Sequence, residues 1–331
     1  MSFRIQLDQP LAMDVRRIFA EQTSKAVKEL QSIEDEIGTS TLDIDAVDEA
    51  VHSARKALKK ARSVVRLVRD AIGSDAYHSA NLACRDAGRL LAGARDSRVM
   101  VSTFDDLIDE CWDAVDADAA GPIRTALFEQ RKECRRKLTE DGERLRVAAD
   151  LIRSAQEGTG DWKLGGGEGF EALQGGLHRT YKRGRKRMDE AYDDPEGVRF
   201  HEWRKRTKYH WYHLRLLRQI WPPVMSATAD VAHDLASLLG DAHDLDRLSS
   251  FLQKHPNLFA AGMHGESLLD KLVLRQGQLY ARARPLGEYI FAESPGRFTA
   301  RIGSYWDVAN GRGIGQGFAL AIPKTMERQV S

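Results

Sequence analysis

His52, Arg55, Lys56 and Lys59 stand at positions i, i+3, i+4 and i+7, and 149 residues later His201, Arg204, Lys205 and Lys208 repeat the types at the same spacing. On an α-helix each residue advances about 100°, so this spacing gathers all four side chains on one face. Guanidinium and ammonium groups carry charge and donate hydrogen bonds but supply no nucleophile. The chemistry they suit is holding an anion. Each histidine can donate a ring N–H to an anion oxygen or pack between helices, and both roles stay open at this point. Arg62 and Arg66 extend the first face, and Arg215 matches Arg66 in the second.

A third segment adds to this. From Gly176 to Arg187 the chain places Arg179, Arg183 and Lys186 on one stripe, with Lys182 beside them. Its counterpart near the start keeps Arg17 but has Glu21 where the later copy has Arg183. The second half is therefore expected to hold an anion more strongly than the first.

Charge is nearly balanced over the 331 residues, with 50 Lys and Arg against 49 Asp and Glu, so total charge names no partner. Its distribution is informative. Residues 52–69 carry seven basic side chains and no acid, 178–188 carry six and no acid, and 199–218 carry seven opposed by Glu202. Like-charge neighbours three or four residues apart cost about 0.2–0.5 kcal/mol each when exposed. The six such pairs in 52–69 amount to roughly 1–3 kcal/mol, a sizeable share of a typical domain stability of about 5–15 kcal/mol. A repeated face that carries this repulsion calls for an anionic ligand, or for acids brought in by neighbouring helices.

Other chemistries are weaker on the residues. His233-Asp234 and His243-Asp244 could contribute to a metal-dependent phosphohydrolase acting on polyphosphate or nucleotides. Gly240 is expected to break the helix between them, and the first half has Arg95-Asp96 instead of a second His-Asp pair. Trp203, Tyr209, Trp211 and Tyr212 could stack nucleobases, but they spread around a helix, Trp203 towards the core. Cys84, Cys111 and Cys134 are odd in number and widely spaced, which suggests neither a disulfide framework nor a zinc site. No cofactor, metal or membrane partner is implied, and the cytoplasm is the expected location.

Apolar residues recur at three and four nearly throughout, with alternation confined to Phe3–Leu7, so the chain reads as all-α with about ten helices. Asp45 is expected to cap the first basic helix, with Asp48 in its first turn. Gly121-Pro122 and Asp194-Pro195-Glu196 are expected to open later helices. On the helix from His52, Ala54, Ala57, Leu58, Ala61, Val64, Val65 and Val68 oppose the cations. The Gly-rich run 158–169 reads as a linker or long loop between halves, each long enough to bury its own core. Leu90 to Asp96 echoes Leu238 to Asp244 at an offset of 148, so the halves form two helical repeats about an approximate twofold axis.

The paired His-x-x-Arg-Lys-x-x-Lys motifs, the Leu-Leu-x-Gly echo, and Leu177-His-Arg-Thr-Tyr181 leading into Phe200-His201-Glu-Trp-Arg-Lys resemble the CHAD family, the conserved histidine α-helical domain. The resemblance runs from about residue 8 to about residue 308. It implies two four-helix-bundle repeats with pseudo-twofold symmetry, at 8–157 and 170–308, and a basic central channel or groove that binds inorganic polyphosphate without catalysis. Residues 309–331 would be a tail, and polyphosphate granules a place of association. By residue match His52, Arg55, Lys56, Lys59, Arg62, His201, Arg204, Lys205 and Lys208 inherit contact with the ligand. Lys59 and Lys208 stand where the family commonly has Arg, which replaces a bidentate contact by a point charge. His243 stands where the first half has Arg95, so the symmetry is not strict.

Overall fold

The computed structural model describes residues 3–312 except 38–42, 111–116, 141, 161, 166, 168 and 260–264. Cys111 and most of the tail 309–331 lie outside the described residues. Among those described there is no strand. The helices are α1 (Leu11–Glu36), α2 (Ile44–Leu67), α3 (Ser74–Leu90), α4 (Ala92–Glu110), α5 (Ala117–Thr139) and α6 (Glu143–Glu157), then α7 (Glu171–Asp193), α8 (Gly197–Leu216), α9 (Pro222–Lys254), α10 (Gly265–Ile290) and α11 (Pro295–Ala309). None is long and apolar enough to cross a membrane.

The apolar sector of α2 forms the core side that its periodicity predicts: Ala54, Val65 and Val68 are fully buried, and Leu58 and Val64 nearly so. α1 packs on α2 and α6, and α2 on α3; later, α7 packs on α8 and α11, and α8 on α9. The halves meet where α2 lies against α7 and α8, and α4 against α9. The interior does not divide at the Gly-rich run: one apolar cluster extends from Phe3 through α2, α7 and α8 to Trp306, and a second joins α4 and α5 to α9 and α10. The Gly-rich run is itself fastened, with Trp162 buried against Phe19 at 4.9 Å and the Gly165 N–H donating to Ala71 O at 2.8 Å.

Local signals were displaced in several places. Asp43, not Asp45, caps α2, accepting from the N–H groups of Asp45 at 2.9 Å and Ala46 at 3.4 Å. Asp48 is fully buried and takes two bonds from Arg131, at 3.0 and 2.5 Å, which ties α5 to α2. α5 begins before Gly121-Pro122, α8 begins after Glu196, and α9 runs unbroken through Gly240. Phe3–Leu7 forms no strand; the Ile5 N–H donates to Leu216 O at the end of α8, at 2.8 Å.

Candidate polyanion-binding cleft

α2 and α8 are locked side by side by His213. Its ring is fully buried, and Nε2 meets Ser63 O at 3.0 Å. Burial pushes this imidazole down to about 4, so the neutral ring donates Nε2–H to the carbonyl. Behind the basic face of α8, Trp203 and His210 are fully buried and Leu214 nearly so. The two cationic faces therefore turn outward from one shared core, next to each other.

They line a cleft of about 500 Å³, to which α2 brings Arg55, Lys59 and Arg62, α8 brings His201, Arg204, Lys205 and Lys208, α4 brings Asp96, and α9 brings His243, Asp244 and Arg247. A second cleft of about 180 Å³ adds His52, Lys56 and His233. The two share Arg55, Lys59, Arg204, Lys208 and Tyr212 as a common wall. Beyond Tyr209, which also borders the larger cleft, a narrow recess gathers Arg66, Arg69, Arg179, Arg183 and Arg206. The three together make a basic trench along α2.

Four predicted residues lie apart from it. Arg17 is bound to Asp14 at 2.7 Å and to Glu21 at 2.9 Å. Lys182 is exposed, and Lys186 is exposed at 3.6 Å from Glu190. The Arg215 guanidinium lies over the rings of Phe3 and Trp211, at 5.5 and 5.1 Å.

Within the trench several cations are held by neighbouring groups. Asp96 bonds Arg247 at 2.5 Å and stands 3.8 Å from Arg55, whose Nη1 also donates to Gly88 O at 2.8 Å. Asn81 Oδ1 accepts from Arg62 at 3.3 Å and Arg66 at 3.1 Å, and the Arg66 guanidinium lies 4.5 Å over the Tyr209 ring. Lys205 pairs with Glu202. Burial, then the field of Arg66, lowers the Arg62 pKa, although the charge survives. Burial first, then Lys205 and Arg204, pushes His201 down to about 4; burial, then His201 and Arg204, pushes His243 down to about 3. Both rings are neutral at pH 7. Outside the trench, Lys60 lies over Phe3 and is lowered to about 8 by burial, then by Arg215 and Lys56.

Sequence reasoning missed Arg247, Asp96, Arg69 and Arg206. Arg247 sits four residues beyond His243, a relation visible once α9 is known to be continuous. Arg206 lies off the His201 face and reaches the trench because α7 covers that side. Of the rival features, His233 packs edge-on against Trp211, and among the described residues no three His, Cys, Asp or Glu side chains gather as metal ligands. Trp203, Trp211 and Tyr212 are buried, and Tyr209 is covered by Arg66.

The model of the CHAD domain matches residues 21–253. The crystal structure of the CHAD domain from the plant Ricinus communis is similar in fold, with a TM-score of 0.51 at 16% identity, over 91% of this chain and 94% of that one. No curated protein matches. With the family model covering more than half of an all-helical chain, the protein belongs to the CHAD-domain family.

Proposed function

We propose that this protein binds inorganic polyphosphate, without catalysis, along the trench between α2 and α8. The observation that carries the reading is the common wall, in which Arg55 and Lys59 of one motif meet Arg204 and Lys208 of its copy. Polyphosphate carries negative charge on every phosphate and offers no base edges. A run of Arg forks and Lys point charges can hold it in any register. Single-stranded nucleic acid would also need stacking surfaces, and the aromatics beside the trench are buried or covered.

The test is a titration of the purified chain with linear polyphosphates of defined length, in competition with single-stranded DNA. Affinity rising with length until the trench is filled supports the reading. Displacement by DNA at equal charge concentration would overturn it, as would a plateau at one or two phosphates. Release of orthophosphate on adding Mg²⁺ or Mn²⁺ would instead identify a hydrolase.

A further inference from the structure

At one end of the trench α7 lies directly on the C-terminal end of α2. A Cβ on Gly176 would stand 2.0 Å from Leu67 O, and one on Gly175 2.1 Å from a carboxylate oxygen of Asp70, so the helices approach this closely because both residues are glycine. The approach brings Arg179 and Arg183 of α7 against Arg66 and Arg69 of α2, and Arg206 of α8 joins them. Asp70 lies 3.1 Å from Arg179 and 3.4 Å from Arg69, and Glu202 lies 3.8 Å from Arg206 while also pairing with Lys205. These carboxylates are outnumbered by the guanidiniums.

Three further observations bear on what this cluster is for. The Nε atoms of Arg66, Arg179 and Arg206 are buried and have no hydrogen-bond partner among the described residues, so the guanidiniums are packed together without enough acceptors of the protein's own to satisfy them. Arg183 and Arg206 are both lowered by burial first, then by neighbouring arginines. The clefts mix Lys56, Lys59, Lys205 and Lys208 with Arg55, Arg62, Arg204 and Arg247, whereas here all five cations are arginine. In the first half Glu21 stands at the counterpart of Arg183 and holds Arg17.

Lysines suit interior phosphates, each a monoanion met in any register. The end of a chain is different. Its terminal phosphate carries about two charges near neutral pH and three equivalent oxygens, the group that several guanidinium forks recognise best. We infer that the arginine recess of α2, α7 and α8 seats the terminal phosphate of the bound chain and so fixes one end of it. The open space inside is about 10 Å³, so the phosphate sits at the mouth, under Arg179 and the exposed Arg183. This inference rests on the polyphosphate reading of the trench.

The experiment compares linear polyphosphate of one defined length, ends free, with the same chain capped at both ends as phosphoramidates, which makes each terminal phosphate a monoanion. Losing one charge-assisted contact weakens capped-chain binding roughly tenfold in the wild-type protein. In Arg183→Gln, and independently in Arg206→Gln, the ratio falls towards one, with helical content checked by circular dichroism. Equal binding of free and capped chains to the wild type overturns the end-seat while leaving the trench reading intact. A wild-type preference that both variants retain also overturns it. Failure of both chains to bind overturns the proposed function itself.

Discussion

The imidazoles of His201 and His243 face each other with ring centroids 4.1 Å apart, joining α8 to α9 inside the basic cleft. Around them stand Arg204 and Lys205 on α8, Arg247 on α9, and the carboxylates of Glu202 and Asp96. Burial and the surrounding cations keep both rings neutral, at about 4 and about 3. A polyanion entering the cleft reverses the local field and favours the protonated rings. Binding should therefore take up protons, and affinity should strengthen as pH falls from about 7 towards about 5. Calorimetry in buffers of different ionisation enthalpy reads the uptake directly. In His243→Asn both the uptake and the pH slope should diminish; a wild-type protein that binds without proton uptake would show that the anion does not approach these rings.

The core histidines act on stability in the same pH range. His210 is fully buried between the rings of Tyr181, Phe291 and Phe298, and neither ring nitrogen has a partner among the described residues. Burial lowers it to about 3, and His213 to about 4. The unfolded chain binds protons below about 6.5, where the folded one does not, so their stabilising contribution is present above that pH and is lost as pH falls. Each can remove up to about 1.4 kcal/mol per pH unit until its folded pKa is reached. Thermal melts of His210→Phe should show a shallower decline between about pH 6.5 and 4 than the wild type. An unchanged slope would mean that His210 is not buried in neutral form.

The basic faces of α2 and α8 were legible because a 3.6-residue period set cations opposite Ala54, Leu58 and Val65, and the same pattern returned at a fixed offset. The helix boundaries were less so. Asp43, Asp45 and Asp48 are all suitable caps by type, and which of them caps depends on where the chain turns and on Arg131 claiming Asp48. Gly240 signalled a break, yet Leu239, Ala242 and Leu245 are buried around it and the packing carries the helix through. Arg206, Arg247 and the His243 stack depend on which helix lies opposite, which no local pattern encodes. The shared core was hidden for the same reason, because each half is apolar enough to have closed on itself.

Arg204→Ala with Lys208→Ala should weaken polyphosphate binding by roughly 10- to 100-fold, since each charge-assisted contact is worth about 1.5–3 kcal/mol and neighbouring losses are not additive. Arg55→Ala with Lys59→Ala should cost less affinity, because the first half has Glu21 where the second has Arg183. Equal or larger losses from the first-half pair would refute the asymmetry. Fluorescence titration of both doubles at one salt concentration makes the comparison, salt being fixed because screening alters every such contact.

Arg17 separates charge from contact. It lines none of the clefts and is bound to buried Asp14 and to Glu21. Arg17→Ala should leave polyphosphate affinity close to wild type while lowering stability by about 1–3 kcal/mol, the cost of removing the guanidinium from a buried carboxylate that keeps the Gln6 N–H. Denaturant unfolding read beside the binding titration checks both halves of this expectation. A large affinity loss at undiminished stability would place Arg17 at the ligand after all.

Gly176→Ala probes the contact that sets the far end of the trench. The added methyl would meet the Leu67 carbonyl at 2.0 Å and the Arg66 carbonyl at 2.4 Å, and backbone atoms of a packed helix cannot give way as a side-chain tip could. α7 must therefore move off α2, at a cost of about 1–3 kcal/mol in overpacking. The movement draws Arg179 and Arg183 away from Arg66 and Arg69, so polyphosphate affinity should fall even though no cation has been removed. Gly296→Ala in α11, where a Cβ would meet nothing within 4 Å, is the control: it should leave affinity unchanged and raise stability slightly, by about 0.4–1 kcal/mol. If Gly176→Ala melts and binds like that control, the close approach of α7 to α2 is not what holds the arginines together.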